Sequence, residues 1–382
     1  MRTTTNVIRV IVGVLFIVSG LVKANDPLGL AYKMEEFFEV WNTSLDAGSF
    51  FAKGALIGLF NYLHAHALPL SVLMIALEII AGVALLIGIW RRWVLNGLLL
   101  LIIFFTFLTA YAYLSGKFRS CGCFGDCLPI TPLSSFLKDV ALVLMIVWLL
   151  VYQRYITPLF SHRAGRLVLL LTVIFSFGFQ WWMLKRLPAV DCLPYKKGKD
   201  ITEQMKIPAG AVPDSFAMKF IYEKEGKRYS FDISEFPADL ATYKFIDREQ
   251  TLVRKGNAEA PIKGFSLTQD GNDLTTQVLA EPRAILVFAL DFKNLDDWMP
   301  AFKNWYATAR SKNVPLFIVT AQVSQGKVLF NSAGLSEVVF LSCDNTAVKT
   351  AARANPTVYL VEKGTIRDKA AAAQTGRIME KL

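Results

Sequence analysis

Charge is scarce in this chain: of 382 residues only 19% are charged, 54% are hydrophobic and the mean hydropathy is +0.40. Water-soluble proteins of this length are far more polar, so a wholly soluble protein is excluded and membrane segments are expected. Histidine is nearly absent, with three residues, of which only His64 and His66 stand close together. An alternate pair with no third ligand is a weak metal signal. Cysteine is limited to five residues, and no two are spaced Cys-x-x-Cys, which excludes the usual dithiol arrangement. No small-residue cleavage site follows the first apolar run, so that run reads as a retained anchor rather than a leader peptide.

The apolar residues lie almost wholly before residue 186. A spanning helix needs about 20 mostly apolar residues, and five runs qualify: 6–22, 68–90, 93–114, 133–152 and 167–184. Arg2 and Arg9 flank the first, Arg91 and Arg92 join the second to the third, and Arg154, Arg163 and Arg166 join the fourth to the fifth. The positive-inside rule assigns all three arginine groups to the cytoplasm. The loop 23–67, the loop before the fourth span and everything after residue 185 then lie outside it. There all five cysteines meet an oxidising space where disulfides persist. The formal charge of +10 owes much to these arginines, which favour anionic headgroups and imply no nucleic-acid partner.

The exterior loop holds Cys121-Gly122-Cys123-Phe124-Gly125-Asp126-Cys127, three thiols in seven residues. A Cys121–Cys123 bond closes a very small ring, and disulfides held away from their preferred geometry are easily reduced. Cys127 then serves as a resolving thiol and Cys192 as an exchange partner, with electrons passing to a second pair or to a membrane acceptor such as a quinone. A permanent staple of Cys192 to Cys127 or Cys121 is the bland alternative. A metal site of Cys121, Cys123 and Cys127 with Asp126 or a histidine is disfavoured, since its spacing is shorter than common zinc pairs. Cys343 is the spare, read as a small buried residue.

Ionisable residues inside a bilayer are expensive and default to functional suspicion. Glu78, in the second span, handles protons or partners a buried cation. Lys138 and Asp139, two turns into the fourth, pair with neighbours or with Lys23; they either tune the thiols or form a structural ion pair. Phe104, Phe105, Phe107, Trp181 and Trp182 face lipid or core. Residues 31–41 carry Met34, Phe37, Phe38 and Trp41 at helical spacing, which suits a helix on the membrane surface or one packed on the bundle.

Beyond the short tether 191–195, strand-like runs at 216–222, 229–233, 243–246 and 251–253, with a turn at 225–227, predict a small β-rich module. The last 125 or so residues predict strands at 264–267, 284–290, 314–320 and 338–342, helices at 296–311 and 346–353, then Asn355-Pro356-Thr357, a hairpin and a final helix from Ala370. Strands alternating with helices imply a mainly parallel sheet, here of thioredoxin type, with Pro356 expected to follow a cis peptide bond. The segment 291–297, where a working thioredoxin carries its dithiol, has no cysteine.

These features resemble the DoxX/MauE family of redox-associated membrane proteins. The match rests on Arg9 to Phe16, Ser19-Gly20-Leu21, Lys23 and Asp26-Pro27; on Glu78 with Gly82; and on Cys121-Gly122-Cys123-Phe124-Gly125 with Lys138-Asp139. The resemblance covers the first 155 residues or so and implies the inner membrane of a bacterium, a periplasmic C-terminal part and periplasmic or secreted protein partners. The expected organisation is a four-helix membrane domain (1–155), a fifth span with flanks (156–190), a β-rich module (191–257) and a degenerate thioredoxin-like domain (258–382). Two functions remain open: a thiol–disulfide oxidoreductase or electron-transfer component using Cys121, Cys123, Cys127 and Cys192, supported by Lys23, Glu78, Lys138, Asp139 and Pro356; or a non-enzymatic accessory subunit whose outer domain binds partners.

Overall fold

The computed structural model describes residues 1–46, 52–118, 125–128, 130–237, 239–254, 256 and 258–382. Its amino-terminal part is helical: α1 (Arg2–Ala24), α2 (Pro27–Asp46), α3 (Lys53–Ala65), α4 (Ala67–Ile87), α5 (Arg91–Ser115), α6 (Pro132–Val151) and α7 (His162–Lys185). Five of these, α1 and α4 to α7, are long and apolar enough to cross a membrane, and each overlaps one of the runs read from sequence. α1 and α4 cross closely because small residues line their contact, as is common where lipid removes the hydrophobic drive between helices. A Cβ on Gly82 would stand 2.9 Å from the Gly13 carbonyl oxygen, and one on Gly20 would stand 2.5 Å from Ile79.

Arg9 is buried at one end of this pair. Its guanidinium donates to the Leu85 carbonyl at 2.9 Å, to Leu86 at 2.5 Å and to Thr157 at 3.0 Å. It thereby satisfies the Leu86 carbonyl at the end of α4, adds to the bond that the Gly88 amide gives Leu85, and ties this end to the link before α7.

The loop between the first two spans folds further than its sequence suggested. α2 runs well beyond 31–41 and packs on the bundle: Met34 and Phe38 join Ala67 in one cluster, and Phe37 stacks on Phe118 at 4.2 Å. α3 was not anticipated.

The segment after α7 also departs from the expected tether and module. Tyr195 and Ile201, the latter opening the short helix α8 (Ile201–Gln204), are buried against the C-terminal sheet, and Asp200 bridges to Thr365. Strands β1 (Ser215–Lys224), β2 (Lys227–Asp232) and β3 (Lys244–Arg254) then form an antiparallel sheet in the order β2-β1-β3. β3 is one strand where two were expected: the polar stretch 247–250 continues the ladder because both of its faces are exposed.

The remaining residues build a seven-stranded sheet in the order β10-β9-β6-β7-β8-β4-β5. Its elements are β4 (Thr268–Gln269), β5 (Asn272–Asp273), α9 (Thr275–Ala280), β6 (Ala284–Phe288), α10 (Leu295–Ser311), β7 (Leu316–Thr320), α11 (Val323–Ser332), β8 (Val339–Ser342), α12 (Asn345–Ala351), β9 (Thr357–Glu362), β10 (Thr365–Ala371) and α13 (Gly376–Met379). β6, β7 and β8 are parallel, while β9 is antiparallel to β6 and β10 to β9. All of β6 is buried, as expected of a strand covered on both faces. Tyr195, Phe265 and Tyr359 pack on one side; Trp298, Phe302 and Phe330 pack on the other. Two corrections fall here. The final helix expected from Ala370 begins only at Gly376, as α13, because Ala370 and Ala371 still pair with Val358 and Thr357 of β9, and the strand expected at 264–267 is displaced to β4. α9 and α11 had no counterpart in the expectation.

Candidate functional site

Helix periodicity carries Ser19 and Lys23, four residues apart, onto one face of α1, and the glycine-lined crossing presents that face to Glu78 of α4. Lys23 Nζ lies 2.5 Å from Glu78 Oε1, and the Ser19 hydroxyl donates to Oε2 at 3.0 Å. Both charges are almost wholly buried, at 4% and 1% exposed. An unpaired charge there would be costly; mutual pairing and the hydroxyl meet that need. Lys23 also sits 4.5 Å from the centre of the Phe105 ring, a cation–π distance.

Asp139 of α6 is fully buried nearby. It accepts from the Thr109 hydroxyl of α5 at 3.0 Å and pairs with Lys138. One cavity is lined by Ser19, Lys23, Glu78, Phe105, Lys138 and Asp139 together. The supporting residues singled out in sequence thus converge, apart from Pro356, which lies in the C-terminal sheet region.

Lys23 borders a second cavity with Asp26, Lys33, Cys127 and Cys192. Cys127 closes the short turn Gly125–Cys127, which leans on α1 and uses a left-handed φ of 57° at Gly125. Cys192 follows α7, and the two sulfurs form a disulfide with Cα atoms 4.9 Å apart. The bond spans 65 residues, so it ties the loop before α6 to the lead of the C-terminal region. Of the alternatives left open by the sequence, the Cys192–Cys127 staple is the pairing formed. Cys121 and Cys123 lie outside the described residues.

Asn25, which sequence reasoning missed, positions Cys192. It ends α1, donates to the Val190 carbonyl at 2.9 Å and accepts from the Val190 amide at 3.0 Å. Its only sequence signal was its place after a helix, next to Asp26-Pro27. Cys343 is buried and unbonded, and burial pushes its thiol up to about 11. His64 pairs with Glu39 at 3.1 Å, whereas His66 meets the Tyr62 carbonyl at 2.8 Å. The two rings serve separate partners, and among the described residues no cluster of three or more His, Cys, Asp or Glu could hold a metal.

In the C-terminal sheet, Asn355-Pro356 is cis and lies beside the end of β6. Asn355 accepts from the Leu290 amide at 3.0 Å and donates to the Asp291 carbonyl and carboxylate, each at 3.0 Å. The same edge meets the bundle. Arg353 pairs with Asp26 at 2.7 Å, Lys349 with Glu35 at 2.7 Å, and both cations approach the Tyr32 ring at 5.4 and 5.2 Å. Burial raises the Tyr32 phenol well above its ordinary range. Lys369 adds a pair with Asp191 at 2.7 Å, beside Cys192.

Five apolar spans around buried ion pairs define a multi-pass helical membrane protein with a β-rich C-terminal region. Residues 1–152, the part that holds α1 to α6, match the family described as methylamine utilisation protein MauE. Residues 216–255, the three-stranded sheet, match a domain of unknown function (DUF8463). No curated protein and no solved structure matches the chain.

Proposed function

We propose that the chain is a membrane-bound thiol–disulfide oxidoreductase or electron-transfer component working on the periplasmic side of a bacterial inner membrane. The observation that carries this reading is the Cys127–Cys192 disulfide on the wall of a cavity that Lys23 also lines. A nearby ammonium favours thiolate over thiol, which makes either sulfur a better leaving group when a client thiolate attacks the other. A client dithiol then becomes a disulfide, and Cys127 and Cys192 take up its two electrons and two protons as thiols. Where Cys121 and Cys123 act as the entry pair, the client dithiol reduces their disulfide instead, and the two thiols so formed attack Cys127–Cys192 in the client's place. The arginine distribution supports the orientation through the positive-inside rule.

The C-terminal region reads as a thioredoxin-like domain without its dithiol. Three parallel strands flanked by an antiparallel pair, and the Asn355–Pro356 turn bonded to the end of β6, support this fold. Its role is to bind protein partners rather than to shuttle electrons, because residues 291–297 contain no cysteine.

Thiol trapping in graded redox buffers tests the reading. The Cys127–Cys192 pair is expected to open at moderately reducing poise, and Cys123→Ser is expected to accumulate mixed disulfides with client proteins. A bond that persists at strongly reducing poise, with no mixed disulfide, would favour the second reading: an accessory subunit in which this bond is a staple. The ion pairs that hold the C-terminal region on α2 favour that alternative. Impermeant maleimide should label Cys192 in intact cells after mild reduction; labelling only after permeabilisation would reverse the orientation.

A further inference from the structure

We propose that the lipid-facing stripe of α7 is a binding site for one anionic phospholipid, its phosphate on Arg186 and an acyl chain along the helix. Phe175, Gly178, Phe179, Trp182 and Met183 recur at helical spacing, so they share a face, and they line an open groove of about 470 Å³. The Phe175 and Phe179 rings stack at 5.6 Å, while a Cβ on Gly178 would meet nothing within 4 Å. Phe175 is 52% exposed and Trp182 45%, so on a spanning helix this groove opens to lipid.

The groove ends on cations. The Arg186 guanidinium stands 3.4 Å from the centre of the Trp182 ring, and Lys185 Nζ stands 4.7 Å from that of Trp181. Tryptophan favours the headgroup level of a bilayer, which sets the depth of both charges. On this side of the bundle Lys23, Lys33 and Lys138 each meet a carboxylate. Among the described residues Lys185 and Arg186 meet none. A guanidinium stacked on a ring still points its in-plane N–H donors outward, in the fork that matches two phosphate oxygens.

That pairing selects the ligand. A phosphate answers the guanidinium, and an acyl chain answers the phenylalanines and the bare floor at Gly178. A free anion has no use for the groove, and a neutral lipid has none for the cations. A lipid of net negative charge is favoured over a zwitterionic one, which brings its own ammonium towards Lys185. Arg186 lies four residues before Val190, whose backbone Asn25 holds, so a lipid held there steadies the chain that leads to Cys192.

The test uses the full chain in phosphatidylcholine nanodiscs containing a little phosphatidylglycerol with a diazirine on its acyl chain. With two cations acting near the surface, light should label residues 175–183 about tenfold more with this probe than with the same diazirine on phosphatidylcholine. Lys185→Gln/Arg186→Gln should bring the two probes level. Gly178→Leu, whose side chain enters open space, should cut the labelling by filling the groove, whereas Leu144→Phe on the exposed face of α6 should leave it unchanged. The wild-type comparison decides even where a variant fails to fold: equal labelling by both probes overturns the site and leaves the cations as interfacial anchors with no choice of lipid. Label that inorganic phosphate displaces also overturns it, in favour of a free-anion site. So does a disulfide-linked dimer that only Gly178→Cys forms in native membranes, since a second copy of α7 then fills the groove.

Discussion

Lys23 and Glu78 are each other's main compensation for burial, so removing one leaves the other charged in an apolar bundle. Breaking a buried pair in this way costs about 3–5 kcal/mol, whereas replacing both partners with apolar residues is often neutral. Lys23→Met should therefore lower thermal stability in detergent sharply, and the double variant Lys23→Met/Glu78→Leu should recover most of the loss. A double variant no better than the single would mean that Lys23 is held by something other than Glu78.

Asp368 gives a pH signature at the same scale. Burial opposes its ionisation, but Lys381, Arg377 and Lys197 outweigh this and hold its carboxyl below the ordinary range. A carboxylate depressed in the folded state contributes stability that is fully present above its unfolded pKa of about 3.9 and is lost as pH falls through the lower folded value. Unfolding followed by tryptophan fluorescence should show the C-terminal region weakening below about pH 4, with a shallower slope in Asp368→Asn. Cys343, with its thiol raised by burial, should resist maleimide until the protein is denatured.

At the scale of elements, the α1–α4 crossing decides whether the buried pair can form. Gly82→Val would drive a side chain onto the Gly13 carbonyl, with a first contact at 2.9 Å, and overpacking of this kind costs about 1–3 kcal/mol. Gly97 of α5 has nothing within 4 Å of a built Cβ, so Gly97→Ala should be neutral or stabilising by up to about 1 kcal/mol. Melting temperatures of the two variants check the contrast.

The spans were legible because an apolar run of sufficient length has few folded alternatives in a lipid environment. α3 was not: Leu56, Ile57, Phe60 and Leu63 do recur on one half-buried face, and Phe60 and Leu63 pack on the α2 cluster, but the run is too short to span a membrane and so was passed over as loop. The tail from Ala370 misled for a different reason. Its alanines favour helix by intrinsic propensity, yet pairing of Ala370 and Ala371 with Val358 and Thr357 of β9 wins. Residues 247–250 hid a strand because a sheet exposed on both faces shows no alternation to read.

For the whole molecule, the decisive contacts join the bundle to the C-terminal region. Glu35–Lys349 and Asp26–Arg353 are separated by 314 and 327 residues in sequence. A zero-length carbodiimide should cross-link Glu35 to Lys349 in the wild type, and Arg353→Glu should lower that yield severalfold by repelling Asp26. An unchanged yield would show that the disulfide and linker alone hold the two parts together.

Composition and local pattern were enough to determine where this chain meets lipid, which residues are anomalous there and where β structure begins, because those depend on transfer free energy and on periods of two or 3.6 residues. Only tertiary structure decided that Lys23 answers Glu78, that Cys127 bonds Cys192 and that Asn25 steadies the latter. Side-chain period assigns a residue to a face, but which faces meet depends on helix crossings and on a chain that returns to the bundle long after leaving it.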